Sequence, residues 1–284
     1  MALLLLATVN GQIVRFNTET LEHKVLFQTH EDDALMGISQ HEDMLFVASQ
    51  SRLFSFRMED FSLVKKTRKY IPSLGFHQMN FYDGRLYTTA TKRNQVWIYN
   101  KDLQRTGKIR ITPPLPHKRI RYKKNYNHIN NIVKYEGSFY INLNWLTEKQ
   151  YAESGVLKTD ENFNELEKFQ FAWESHDFQF VDGKMMAICS TSGKDKEIRH
   201  PNVSGLMVEG ELVWEHDPDE SFCKALCSDV QYIYFCGGMK ATRKKRKNTA
   251  GVIYVIDKHS YKLVRKITRD GLSGIRGAML LESD

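Results

Sequence analysis

Three histidines recur at nearly regular intervals along the chain, at His77, His128 and His176. Imidazole is the commonest metal ligand in proteins, and three imidazoles on rigid strands can bind a divalent ion while leaving positions open for water and substrate. Such a ligand set suits Fe, Mn, Zn or Ni, and the sequence does not choose among them. One histidine of this kind would be interpreted as a residue that binds only water and backbone. Three at equivalent positions favour a metal site.

Four further residues occupy matching or adjacent positions. Asp177 and Asn130 are candidates to orient the histidine rings or to act in catalysis. Lys224 and Arg276 could hold a carboxylate, phosphate or sulfate group. Together they predict a metal-dependent enzyme that acts on a small anionic substrate. Lyase or hydrolase chemistry is preferred, and an iron-dependent oxygenase remains open.

The intervals arise from a repeat in which an apolar strand, an acidic or glycine turn and a second apolar strand follow one another. It occurs at 35–48, 76–89, 127–142, 175–189 and 223–236, usually with a third and fourth strand behind it. Repeats of this length with four strands each predict an all-β fold, a β-propeller. Six blades are favoured over five or seven. The anchor positions, which are 41, 51, 48, 48 and 52 residues apart, are Met36, His77, His128, His176, Lys224 and Arg276.

The two ends of the chain predict how the propeller closes. Residues 275–284 resemble a first strand with nothing after it, and residues 2–27 resemble a blade that lacks its first strand. Joined, they give a single domain over 1–284. The first strand of each blade should line a central channel, and its early residues should face the channel mouth. In the third repeat the equivalent position is Asn130, and side-chain alternation predicts that His128 points the same way.

Composition and charge narrow the class of protein. With 41% hydrophobic and 26% charged residues, the 284-residue chain is typical of a soluble globular protein. No apolar stretch is long enough for a membrane helix, and no basic leader marks a signal peptide, so no membrane partner is expected. Four cysteines without a CxxC pair predict buried reduced thiols and a cytoplasmic location.

The net charge of +7 is concentrated in two basic segments, 116–124 and 240–248, which we interpret as solvated loops. We do not expect nucleic acid as a partner, because stacking aromatics are not interleaved with these charges. The sequence does not indicate an oligomeric state. The remaining histidines are expected at the surface: His23, His30, His41, His117, His200, His216 and His259.

Three motifs carry a resemblance to known proteins: His128-Ile129-Asn130-Asn131, HDFQFVDGKMMAICSTSG at 176–193, and KALC at 224–227. On these motifs the chain resembles a group of poorly characterised bacterial β-propeller proteins over roughly residues 75–260. The resemblance implies a propeller in which the histidine positions matter, and it supplies no reaction. Asn131 stands where the group has Asp, so an acidic general base is not expected there.

A different class of function also fits these patterns. The chain could be a non-catalytic binding module for a peptide, glycan or protein partner, in which the histidines bind no metal. A third hypothesis is that the chain binds nucleic acid through the basic loops. It predicts a binding affinity that decreases steeply as the salt concentration rises. Metal content separates the enzyme from the other two.

Overall fold

The computed structural model describes residues 2–29, 33–111, 126–146, 153–190, 203–242 and 245–281. They form six four-stranded antiparallel sheets, so the chain is a six-bladed β-propeller, as the repeat predicts. Two short 3₁₀ turns, Thr91–Arg93 and Arg246–Asn248, accompany the strands.

The strands are numbered in chain order and grouped by blade. Blade 1 contains β24 (Ile275–Leu281), β1 (Leu3–Thr8), β2 (Gln12–Asn17) and β3 (His23–Gln28). Blade 2 contains β4 (Leu35–His41), β5 (Met44–Ser49), β6 (Leu53–Arg57) and β7 (Leu63–Lys66). Blade 3 contains β8 (Phe76–Tyr82), β9 (Arg85–Ala90), β10 (Gln95–Tyr99) and β11 (Arg105–Arg110). Blade 4 contains β12 (Ile129–Tyr135), β13 (Ser138–Leu143), β14 (Gly155–Thr159) and β15 (Glu165–Gln170). Blade 5 contains β16 (Ser175–Val181), β17 (Lys184–Ser190), β18 (Ser204–Val208) and β19 (Glu211–Glu215). Blade 6 contains β20 (Ser221–Ser228), β21 (Tyr232–Met239), β22 (Gly251–Asp257) and β23 (Leu263–Arg269).

The chain divides into two compact units. The first comprises Met1–Ile38 with Gln179–Asp284, and the second comprises Ser39–Phe178. Each has its own apolar core. In the first unit Phe16, Tyr234 and Ile253 belong to one buried cluster. In the second, Phe76 and Trp97 belong to another.

The two chain ends pair within blade 1. β24 runs antiparallel to β1, with Leu280 opposite Leu4 and Ala278 opposite Leu6. β1 therefore has a hydrogen-bonded neighbour on both sides, because β2 pairs with its other edge. The predicted closure by the terminal segments is confirmed.

The turns follow from local residue chemistry. The pairs Asp83-Gly84, Glu136-Gly137 and Asp182-Gly183 have positive φ at both residues. Two such residues in succession define the type I′ turn, which matches the twist of a two-residue hairpin. The acidic residues at these positions are thus turn residues, and they fix the register of the strand before them.

The outer hairpins use a different loop, which recurs in five blades. An apolar residue there adopts the left-handed conformation; these residues are Leu21, Phe61, Leu103, Phe163 and Tyr261. In the loop of blade 6, for example, the Asp257 carboxylate accepts hydrogen bonds from the backbone N–H groups of His259 and Ser260. In such an Asx turn, the side-chain oxygen accepts hydrogen bonds from backbone N–H groups that have no strand partner in the loop.

Candidate functional site

Four of the predicted site positions lie at β-bulges near the start of the first strand of a blade. On β12, Ile129 pairs with Leu143 and Asn131 pairs with Asn142. Because these two partners are adjacent on β13, Asn130 is the extra residue of the bulge. Lys224 is the extra residue of β20, and Arg276 is the extra residue of β24. On β8, the register shifts between Phe76 and Met79 and so includes His77. Bulges re-aim side chains and are frequent beside functional sites.

The ring of His77 is oriented by two acceptors. Its Nδ1 lies 2.9 Å from the Gly75 carbonyl oxygen and 3.0 Å from Thr91 Oγ1. The Thr91 hydroxyl donates its one proton to the Ile129 carbonyl, at 2.6 Å, so toward His77 it can only accept. The neutral His77 ring therefore carries its proton on Nδ1, and Nε2 holds the lone pair that could bind a metal or accept a proton.

His128 lies beside His77 but is not placed by strand alternation. β12 begins at Ile129, His128 has a left-handed φ of 48°, and the bulge at Asn130 follows. The alternation assumed between 128 and 130 does not hold there, because it needs a regular strand. The His128 ring centroid is 5.2 Å from that of His77, edge to face, and 5.1 Å from that of Trp145.

In His176, unlike His77, the Nδ1 atom accepts a hydrogen bond. Asn130 Nδ2 donates to the Ser175 carbonyl at 2.7 Å and to His176 Nδ1 at 2.9 Å. The carbonyl can only accept, which fixes the amide nitrogen at this position and makes His176 Nδ1 an acceptor. The neutral ring then presents N–H at Nε2, so coordination through that atom would require the Asn130 amide to turn. Asn130 is 1% exposed and positions the ring.

Asp177 belongs to a chain of hydrogen-bonded polar side chains that links three consecutive blades. Asn80 Nδ2 donates to Asn131 Oδ1 at 3.2 Å, and Asn131 Nδ2 donates to Asp177 Oδ1 at 3.3 Å. Asn131 also donates to the Phe178 carbonyl at 2.6 Å. Asp177 is 5% exposed and has a left-handed φ of 42°, a strained value for a residue with a side chain.

Within the described ranges, no group of three or more His, Cys, Asp or Glu side chains is arranged to hold a metal ion. His77 and His128 are neighbours, and His176 is hydrogen-bonded to Asn130. The three-histidine centre accordingly stays a prediction.

Lys224 and Arg276 lie in the other compact unit, around one aromatic ring. Lys224 Nζ is 4.7 Å from the centroid of Phe222, and Arg276 Cζ is 5.7 Å from it. The structure adds a third cation, since Arg246 Cζ is 4.7 Å from the same centroid. We call these three residues with Phe222 the cation cluster. All four side chains are half-buried.

Arg246 could not be found from sequence, because it belongs to the basic segment 240–248. The solvated-loop interpretation fits the exposed Lys245 and Asn248 but is wrong for Arg246. Its Nε donates to the Ala241 carbonyl at 3.3 Å, which joins the 3₁₀ turn to the residues that follow β21. Segment 116–124 lies outside the described residues.

His216 also departs from its predicted surface position. Its ring stacks near Trp214 and Tyr254, and its Nδ1 is 2.9 Å from Ser221 Oγ. Its Nε2 atom is buried and has no hydrogen-bond partner among the described residues. Burial lowers the pKa of His216, because the charged imidazolium would lose hydration there.

The predictions about thiols and membrane helices can also be compared with the structure. All four cysteines are buried and none is joined in a disulfide, as predicted. Among the described residues, no helix is long and apolar enough to span a membrane.

Comparison with known proteins supports the fold alone. No family model and no curated protein matches the chain. One similar solved structure is a chain of a nidogen/laminin complex, with a TM-score of 0.68, 10% identity, and coverage of 99% of this chain and 98% of that chain. Another is a protein of unknown function from Bacteroides caccae, with a TM-score of 0.68, 12% identity and the same coverage.

Proposed function

We propose that the protein binds a small anionic molecule and that Lys224, Arg246 and Arg276 hold it. The observation that carries the proposal is the convergence of these three cations on Phe222. Cation–π attraction stabilises each of them beside the ring by roughly 0.5–2 kcal/mol. An anion bound among them would be attracted to all three positive charges.

The residue types indicate which anions fit. Each guanidinium can form two parallel hydrogen bonds to a carboxylate, phosphate or sulfate, whereas the Lys224 ammonium acts as a point charge. Lys224 and Arg276 are bulge residues of β20 and β24, and Arg246 is the first residue of a 3₁₀ turn, so backbone geometry helps fix all three. A compact ligand with two or three negative charges suits this arrangement best.

Calorimetric titration of the full chain with citrate, pyrophosphate and sulfate tests the proposal. The double variant Lys224→Met, Arg276→Met should bind the best of these at least about tenfold more weakly, since about 1.4 kcal/mol corresponds to tenfold in affinity. The matched control is Lys65→Gln, Lys108→Gln, which removes the same charge from exposed positions on β7 and β11. Equal weakening in both variants would mean nonspecific attraction and would overturn the proposal.

A second candidate function is metal-dependent catalysis at the histidines, with lyase, hydrolase or oxygenase chemistry. It is favoured by the pair His77 and His128. Two imidazoles bound to one zinc ion by bonds of about 2.0–2.1 Å in tetrahedral geometry have ring centres roughly 5 Å apart. The observed centroid separation is 5.2 Å, and His77 holds its lone pair on Nε2. A bound ion would polarise a carbonyl or activate water.

Elemental analysis of protein purified without chelator tests this candidate. About one metal ion per chain is expected, as for a single site. The variant His77→Ala, His128→Ala, His176→Ala should lose it, while the control variant His259→Ala, at an exposed outer loop, should keep it. No metal in the native protein, even after reconstitution with Fe, Mn, Zn and Ni, would exclude this candidate and leave the anion-binding proposal unaffected.

A further inference from the structure

A second basic site lies away from the cation cluster, in a groove on blade 1. The groove has a volume of about 620 Å³ and is lined by Leu3, Arg15, Asn17, Glu22, His23, Lys24 and Arg269. Small-molecule sites typically occupy roughly 300–1,000 Å³, so the groove is large enough for a ligand. Three of its lining side chains are cations and one is a carboxylate, which leaves an excess of positive charge.

The strand register makes this charge unusual. Arg15 on β2 is directly opposite Lys24 on β3. Like charges at directly opposed positions of an antiparallel pair destabilise the sheet. Nothing in the fold requires a cation at either position, because both side chains are exposed. A local arrangement that costs stability without a structural gain points to a functional site.

The third cation comes from a different blade of the same compact unit. Arg269 is the last residue of β23 in blade 6. β23 also supplies Arg265, whose Nη1 donates to the Thr18 carbonyl at 3.1 Å, so this strand contacts the outer hairpin of blade 1. The groove is therefore formed where two blades meet, and its cations approach from two sides.

We infer that this groove binds a tetrahedral oxyanion group, a phosphate or sulfate ester, between Arg15, Lys24 and Arg269. The two guanidinium groups can each give bidentate hydrogen bonds to the oxyanion, and Lys24 adds a point charge. His23 and Asn17 line the same groove and can bind the rest of the ligand. Binding offsets the repulsion between Arg15 and Lys24.

His23 is a built-in reporter for the experiment. We would label the histidines of the full chain with ¹³C and titrate with phenyl phosphate and, separately, phenyl sulfate at about 50 mM salt, where surface charges are only partly screened. The His23 ring resonance, assigned with His23→Gln, should shift and saturate with at least one ester. The ester that binds more tightly tells phosphate from sulfate as the source of the oxyanion.

Variants separate this site from the cation cluster. Arg15→Gln, Lys24→Gln should weaken the His23-detected affinity at least about tenfold, the loss expected for one charge-assisted contact. Lys224→Met, Arg276→Met should leave it unchanged, as should the control Lys65→Gln, Lys108→Gln. A His23 resonance that does not move with either ester would overturn the inference, as would equal weakening in the control.

Thermal unfolding gives a second readout. In buffer without phosphate or sulfate, Arg15→Gln should unfold at a higher temperature than the native protein, because it relieves the repulsion from Lys24. Adding the bound ester should stabilise the native protein more than this variant. A variant that unfolds at a lower temperature than the native chain would contradict the repulsion on which the inference depends.

Discussion

At the scale of single residues, the site is built by side chains that position other side chains. Thr91 and Gly75 hold His77, and Asn130 holds His176. These partners select opposite tautomers of the two rings. His77 has its lone pair on Nε2, whereas His176 has its N–H group there. The repeat predicts both histidine positions, but it does not predict this difference in tautomer, because the tautomer depends on partners that are distant along the chain.

Asn131 occupies a position where the structure requires an amide. Its Nδ2 faces two acceptors, the Phe178 carbonyl and the Asp177 carboxylate. Asn131→Asp would replace this hydrogen-bond donor with a buried carboxylate that is repelled by both acceptors. The substitution should therefore lower the free energy of unfolding by about 2–4 kcal/mol. Urea unfolding measures the change. The control Asn162→Asp, in an exposed outer loop, should stay within about 0.5 kcal/mol of native; an equally small effect of Asn131→Asp would contradict the assigned hydrogen bonds.

His216 makes a prediction about pH. Burial lowers its folded-state pKa below the ordinary value of 6.5, with the Asp217 carbonyl and the Asp217 and Glu220 charges opposing this effect. As pH falls through about 6.5 the unfolded state binds the proton first, so stability decreases toward lower pH. Denaturant unfolding between about pH 7.5 and about pH 5 should show a smaller decrease for His216→Phe than for the native protein. An identical decrease in both would show that His216 does not contribute.

At the scale of elements, the hairpins were predictable and the bulges were not. Turn pairs such as Asp83-Gly84 are local signals, and they fixed the inner hairpins within a few residues. The bulge at Lys224 depends on how β20 pairs with β21, which has no local signature in the sequence. Arg246 reaches Phe222 only because a loop returns to the sheet, whereas its place in a basic segment predicts a solvated residue.

Gly237 tests the link between the bulge and the cation cluster. A Cβ atom there would lie 2.3 Å from the Phe222 carbonyl oxygen and 2.5 Å from Cys223 Cα. Gly237→Ala should displace β20, cost about 3 kcal/mol or more by overpacking, and weaken anion binding with it. Gly107→Ala, where the nearest atom is an Ile98 methyl group at 3.4 Å, is the control. Unchanged stability and binding in Gly237→Ala would show that the close approach of the two strands is not needed.

At the scale of the whole molecule, the sequence period and the two unmatched ends predicted six blades and their closure. The function was less accessible, because anion or metal binding depends on side chains brought together from several blades. The similar solved structures, at 10% and 12% identity, support the fold and do not indicate a ligand.

The closing strand provides a test of that architecture. A chain ending at Gly274 would lack β24 and expose the apolar edge of β1, whose residues Leu4 and Leu6 are fully buried. We expect this chain to aggregate, since an unpaired apolar edge strand templates association. Adding a peptide of residues 275–284 should restore a soluble cooperative fold, and a scrambled peptide should not. A truncated chain that stays soluble and unfolds like the native protein would argue against closure by β24.

The central claim is that three cations around Phe222 form an anion site, and Arg246 is the member that only the structure supplied. The most direct test is the calorimetric affinity of native protein and Arg246→Gln for whichever of citrate, pyrophosphate and sulfate binds best. We expect about tenfold weaker binding by the variant, corresponding to the loss of one charge-assisted contact. Equal affinity of the two proteins, or no binding of any of the three anions to the native chain, would contradict the claim.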